Sequence, residues 1–292
     1  MLPRLLNLRA VKVSLLVSPW ESANVCRPSA AWASAHYVSG EWLQQLQHHL
    51  LWALHRRSRV PDAQPIRVLH LEPFKLHAIN FVILPNGGRL SPYALASMTK
   101  LAVVIIERPH DMDVWSALGQ CLARMCSLSS LHIRWPRPAW LPVEPASFLP
   151  RVPFLPALSL LELDGLTVDL RYLLGMVRRH CRTLTSVHIR NWTDSRLSPS
   201  ALWQGNPPRP VRWTDIFSSL RSRCPRLTTF CFEGTMTTAV GRRYLMLREA
   251  DYRIYVTRWS SPTRWPVAVR KEPIEQWVLG QGPEPRLDYW DY

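Results

Sequence analysis

Histidines, carboxylates and arginines recur in the middle of the sequence at a constant place within short apolar segments. They stand between or just after two apolar residues, at His132, Arg134, Glu162, Asp164, His188, Arg190 and Glu233. Alternate residues of a β-strand share one face, so this pattern predicts a charged strip on one face of a sheet. We call these seven residues the charged strip. Their chemistry is ion pairing and hydrogen bonding.

The strip contains a row whose charge alternates in sign through Arg134, Asp164, Arg190 and Glu233. Strands in a sheet lie about 4.8 Å apart, so opposite charges on neighbouring strands pair and like charges repel. One interpretation is a structural ladder that fixes strand register. The other is a recognition surface for a protein or peptide, and the two are compatible. A metal site from His132, Glu162 and His188 is not expected, because a ladder spreads these side chains apart.

The sequence contains no familiar catalytic or cofactor motif. GxGxxG, Walker, GxSxG and HExxH patterns are all missing. The segment "PHDMD" at 109–113 has the composition of a metal loop but is more typical of an acidic helix start. The segment "RWSSPTRWP" at 258–266 could clamp single-stranded nucleic acid, although Arg258 and Trp259 would point to opposite faces of a strand. We therefore expect no catalytic residues, no metal and no cofactor.

An apolar-x-x-apolar-x-apolar pattern supplies the strands that position the strip. It occurs at Leu8/Val11/Val13, Ile66/Leu69/Leu71, Leu101/Val104/Ile106, Leu128/Leu131/Ile133, Leu158/Leu161/Leu163, Leu184/Val187/Ile189 and Leu227/Phe230/Phe232. Helical periodicity fills the gaps at 41–54, 113–125, 169–180 and 213–224. Such strand–helix units bury their apolar faces by stacking. The sequence predicts an α/β solenoid with a parallel sheet on one face and helices on the other, each extra apolar residue entering the core before its strand.

The best-formed helix–strand pair carries a resemblance to a known family. "LPALSLLELDGLTVDLRYLLGMVRRHCRTLTSVHIRNW", at 155–192, is similar to the irregular leucine-rich repeats of fungal F-box/leucine-rich-repeat-like proteins, as are the lead-ins "CRTL" and "CPRL". The resemblance implies a non-enzymatic protein-interaction module, like the substrate-recognition region of an SCF-type ubiquitin ligase receptor. It implies a protein partner on the concave face.

Two features depart from that family. The repeat consensus places Asn or Cys eight residues after the first apolar position, where this sequence has Leu166 and Trp192 in two of the repeats. We therefore expect an irregular solenoid with incomplete side-chain ladders. No F-box-like helix is visible before the first repeat, so a ubiquitin ligase adaptor is an expected partner only if that segment is missing from this chain.

The pattern also predicts the domain organisation. We expect the irregular solenoid to occupy 1–250, with 98–235 the best-supported part. A strand at "YRIYVTRW" and a partly loose tail within 251–292 would form a C-terminal cap.

Composition leaves one other class of function open. The 292-residue chain has a net charge of +15, and 32 of its 36 basic residues are arginines. An arginine-rich nucleic-acid-binding protein is therefore the alternative, although the arginines are scattered. The six cysteines lack zinc-finger or dense disulfide spacing, which favours reduced thiols in the cytoplasm or nucleus. No apolar stretch is long enough to span a membrane, and the basic first seventeen residues also admit a mitochondrial presequence.

Overall fold

The computed structural model divides the chain into two compact units, residues 1–141 and 142–292. Each is considered separately below. The residues that the structure describes are 7–14, 49–50, 52–74, 95–105, 118–119, 121–135, 149, 152–166, 168–192, 211–237, 244–247 and 271–285. Within these ranges seven strands pair in parallel, four in the first unit and three in the second, and helices accompany them.

The first unit contains four parallel strands in chain order. They are β1 (Ala10–Ser14), β2 (Val68–Phe74), β3 (Lys100–Ile105) and β4 (Ser130–Arg134). Leu69, Leu101 and Leu131 occupy matching register positions on β2 to β4 and are buried. Strand pairing thus follows the apolar pattern, because a shift of one residue would turn every apolar side chain to the other face.

The third repeat is shifted from its expected position. The sequence pattern placed Val104 and Ile106 on the inward face, but Leu101 and Val103 pair with Leu131 and Ile133. Ile106 itself lies outside the described residues. The upstream apolar residue of this repeat is Met98, which is fully buried. The prediction was wrong because residues 101–106 are apolar throughout, and such a run has no periodicity to fix its phase.

The second unit alternates strands and helices. Its elements are β5 (Leu160–Asp164), α1 (Leu170–His180), β6 (Ser186–Arg190), α2 (Trp213–Arg223), β7 (Thr229–Thr237), β8 (Tyr244–Leu247) and α3 (Lys271–Val278). Strands β5, β6 and β7 are parallel, and β8 pairs antiparallel with the end of β7. α1 and α2 pack against each other. α1 and α2 lie where the 3.6-residue periodicity predicted helices.

The inward residues of the strands form the core as predicted. Eight residues expected to be buried are all less than 5% exposed: Leu131, Ile133, Leu161, Leu163, Val187, Ile189, Phe230 and Phe232. The extra residue before the strand is also fully buried at Leu128, Leu158 and Leu184, whereas Leu227 is half-buried. The apolar residue upstream of a strand therefore fills the core at the bend.

The turns that follow β5 and β6 use left-handed residues. Gly165 has φ of 71° and Asn191 has φ of 50°, and each comes directly after its strand. Glycine and asparagine tolerate this conformation best. The chain therefore turns at equivalent places after β5 and after β6. One residue later the buried Trp192 donates from Nε1 to the Val168 carbonyl at 3.1 Å. At the position where the family consensus has Asn, an indole N–H therefore satisfies a backbone carbonyl.

α3 closes the end of the second unit. Its apolar residues Ile274, Trp277 and Val278 are buried, and the helix packs on β7 and α2. The Arg221 guanidinium lies 5.3 Å from the Trp277 ring centroid and donates to the Trp277 carbonyl. Glu275 Oε1 accepts a 3.0 Å bond from the Phe232 backbone N–H in β7. The strand expected at 252–259 lies outside the described residues.

His180 anchors the segment before β5 to α1. A charged histidine at this place would favour the end of the helix dipole, but the ring is fully buried. Its Nδ1 bonds to the Met176 carbonyl at 2.9 Å, and Nε2 accepts the Leu155 backbone N–H at 2.9 Å. Chiefly through burial, the pKa of His180 is lowered from its usual 6.5. Because Nε2 accepts a hydrogen bond, the ring is neutral.

We expect His180 to make stability depend on pH. Its pKa is lower in the folded protein, so below about pH 6.5 the unfolded chain binds the proton more readily. The contribution of His180 to the free energy of unfolding is complete above that pH. It falls by up to about 1.4 kcal/mol per pH unit as the pH drops toward the pKa in the folded protein. Urea unfolding of the wild type and His180→Gln between pH 5 and 8 should show a stability difference that shrinks at low pH. Because the pKa of His55 is also lowered, only the difference between the two proteins reports on His180. A pH-independent difference would contradict this role.

Candidate functional site

In each unit the members of the charged strip lie on the outer face of the strands, which we define as the face opposite the buried apolar residues of that unit. His132 and Arg134 belong to β4 of the first unit. The other five members lie on β5, β6 and β7 of the second unit. Except at Asp164, which is buried, their burial alternates with that of the core residues, as a two-residue period requires. In the second unit the register matches Glu162 to His188. It also matches Arg190 to both Asp164 and Glu233.

Arg190 is the centre of an ion-pair network across three strands. Its Nη1 lies 3.0 Å from Glu162 Oε1 on β5, and its Nε pairs with Glu233 Oε1 on β7. The side chains are 34%, 17% and 18% exposed for Arg190, Glu162 and Glu233. Burial by itself lowers the pKa of the guanidinium, but the carboxylates of Glu233 and Glu162 outweigh it and raise the pKa. Arg190 therefore stays charged, and the network holds the three strands in register.

This network differs in part from the expected ladder. The pair between Arg190 and Glu233 joins residues directly opposite each other, as the alternating row predicted. The pair with Glu162 is diagonal, since His188 is the register partner of Glu162. A long arginine side chain can span the roughly 7–8 Å between diagonal neighbours, so register alone does not choose its partner.

Asp164 is turned toward the end of its strand. The residue is only 8% exposed, and Oδ1 accepts a 2.7 Å bond from Asn191 Nδ2. The left-handed backbone of Asn191 and this side-chain bond join the ends of β5 and β6. Asp164 therefore stabilises the turn more than it displays charge to a partner. Asn191 was not among the predicted site residues, although an Asn directly after a strand often adopts the left-handed conformation.

His188 gives the middle of the strip a hydrogen-bonding group. Its Nε2 lies 3.1 Å from Ser186 Oγ on the same face of β6. Its register partners are Glu162 on β5 and the half-buried Cys231 on β7. Across the described ranges, no three His, Cys, Asp or Glu side chains converge as metal ligands would. The arrangement is suited to polar contacts with another molecule.

The two strip residues of the first unit differ in exposure. His132 is half-buried and lies in register with Ala102 on β3, whereas Arg134 is exposed at the end of β4. Both retain the orientation that strand alternation predicted, away from the buried Leu131 and Ile133.

Comparisons with protein-family models, with curated proteins and with solved structures each find no match for this chain. No helix in the described part of the chain combines the length and apolar character needed to cross a bilayer. Function is therefore inferred from the fold and the charged strip.

Proposed function

We propose that this chain is a non-enzymatic protein-interaction module that binds its partner through the charged-strip residues of the second unit. In this proposal the strand–helix units form an irregular leucine-rich-repeat-like solenoid, similar to the substrate-recognition region of an SCF-type ubiquitin ligase receptor. The protein acts in the cytoplasm or nucleus. The network of Arg190, Glu162 and Glu233 carries the proposal, because it presents partly exposed charges on a backbone that sheet pairing holds rigid.

The two faces of the second unit support this assignment. On the inner face the rings of Trp213 and Phe217 pack on Phe232, with centroids 4.9 and 5.0 Å away, so α2 covers this side of β7. The outer face instead carries half-buried polar groups: Ser186, His188, Arg190, Cys231 and Glu233. Polar and charged groups at an interface contribute specificity and association rate. A protein or peptide laid along this face would contact all three strands.

A charge exchange between Arg190 and Glu233 tests the proposal. The double variant Arg190→Glu/Glu233→Arg keeps one opposite-charge pair in register but reverses the pattern that a partner meets. We expect the affinity for a bound protein to fall at least ~10-fold, because like charges brought together at an interface cost several kcal/mol. Asp164 is left unchanged because it is buried and supports the turn.

The measurement is quantitative affinity purification from cell extract at two salt concentrations. Arg178→Glu is the matched control, since it reverses one exposed arginine on α1, away from the strip. Circular dichroism must show that both variants fold. Equal recovery of partners by the wild type and the exchanged variant would refute the strip as the binding surface. Recovery of nucleic acid that falls steeply with salt would favour the nucleic-acid alternative.

A further inference from the structure

Two cysteines of the second unit occupy equivalent positions in successive strand–helix units. Cys181 follows α1 and Cys224 follows α2, each as the residue that ends its helix. Each begins a Cys-x-x-Leu segment that leads into a strand, and each lies five residues before the register pair Ser186 and Thr229. The two lead-ins are therefore of equal length and run side by side.

Backbone contacts hold these lead-ins close together. The Thr185 carbonyl accepts N–H bonds from Thr228 at 2.9 Å and from Thr229 at 3.1 Å. Where these bonds form, the two backbones are one strand spacing apart, about 4.8 Å, and the Cα atoms of a disulfide lie roughly 4.4–6.8 Å apart. The helices that the two cysteines end, α1 and α2, also pack against each other. The pKa of Cys224 is raised to about 12, mainly by burial and further by the Cys181 thiol. Both cysteines are free thiols in this structure.

We infer that Cys181 and Cys224 are a redox-sensitive pair that oxidises to a disulfide joining the ends of α1 and α2. The oxidant is a small disulfide such as glutathione disulfide. The half-buried Cys181 attacks it first, forms a mixed disulfide and releases one glutathione thiol. Cys224 then attacks the Cys181 sulfur and releases the second glutathione thiol. The protein loses two protons and two electrons, and the glutathione disulfide gains them.

The order of attack follows from burial. Cys224 is only 4% exposed and has a high pKa, so an external oxidant reaches it poorly. Its proximity to Cys181 makes the second step intramolecular, which compensates for its low thiolate fraction. The disulfide would tie the lead-ins of β6 and β7 and so constrain the strands that carry Arg190 and Glu233. This inference is independent of the proposed function, because it concerns the thiols alone.

Oxidation of the full chain with glutathione disulfide tests the pair. Intact mass should fall by two hydrogen atoms in the monomer, and peptide mapping without reductant should join the peptides of Cys181 and Cys224. The thermal midpoint should rise on oxidation, since the cross-link restricts the unfolded chain. Cys181→Ser should lose the cross-linked species completely, whereas Cys126→Ser, which removes an exposed thiol of the first unit, should retain it.

Two outcomes would overturn the inference. One is a folded protein in which Cys181 remains glutathionylated and Cys224 remains a thiol. The other is a cross-link that joins either cysteine to a different partner. Urea unfolding of reduced Cys181→Ser, compared with the reduced wild type, separates loss of the cross-link from loss of the fold.

Discussion

Replacing Phe232 by alanine is expected to lower the free energy of unfolding by about 3–5 kcal/mol. The ring is fully buried on β7 and lies in an aromatic cluster with Trp213, Phe217 and Phe230. Two of these contacts are edge-to-face, and such pairs add roughly 0.5–1.5 kcal/mol beyond the area they bury. Because the cluster joins α2 to β7, a cavity here would loosen both elements.

Urea unfolding followed by circular dichroism measures this loss. Phe232→Leu should cost less than about 1.5 kcal/mol, because it keeps most of the apolar volume. Tyr172→Ala on α1 is the control for an exposed aromatic residue and should change stability by no more than about 0.5 kcal/mol. If Phe232→Ala and Tyr172→Ala cost the same, the aromatic cluster does not stabilise the second unit.

Leu161→Ala is expected to cost about 2–5 kcal/mol. Leu161 is fully buried on β5 and pairs in register with Val187 on β6. Its removal leaves a cavity beside rigid parallel strands, which cannot collapse easily to fill it. The neighbouring Leu160 faces the other side of the same strand and is half-buried, so Leu160→Ala should cost less. A larger loss for Leu160→Ala in the same urea titration would show that the assignment of faces is wrong.

The sequence predicted the strand register of the second unit well because a polar residue separates the two inward apolar residues of both β5 and β6. In β5 and β6 the inward pairs Leu161/Leu163 and Val187/Ile189 leave one possible phase. The helical spacing of Leu170, Leu173, Leu174 and Val177 was equally clear, and all four are buried. Asp169 near the start of α1 is its N-cap and accepts the Arg171 N–H at 2.8 Å. Burial of one face determines these features, and the spacing of apolar residues in the sequence shows which face is buried.

Other features depend on tertiary contacts that the pattern does not contain. The inward face of residues 101–106 could not be predicted from the sequence, because every position is apolar. The partners of Arg190 depend on which rotamer its long side chain takes, and either a direct or a diagonal neighbour lies within reach. His180 looked like an ordinary basic residue at a helix end, but residues around Leu155 bury it.

The sequence also contained a signal for α3 within the region expected to form a C-terminal cap with a partly loose tail, although no helix was predicted there. Ile274, Trp277 and Val278 follow the i, i+3, i+4 spacing of one helix face. Pro273 lies in the first turn, where a helix tolerates proline. Even so, the spacing could not show that Glu275 reaches the Phe232 backbone.

That bond between Glu275 and the Phe232 backbone has a consequence for self-association. β7 pairs with β6 through residues 229–233, and β8 pairs only with residues 234–237. A strand edge with unused N–H groups is a template on which another polypeptide can add a strand, and sheets joined in this way grow into aggregates. A carboxylate on one such N–H puts an acceptor where an incoming carbonyl would dock. The charge of Glu275 also makes the edge costly to dehydrate. We therefore expect α3 to oppose edge-to-edge polymerisation at the centre of β7.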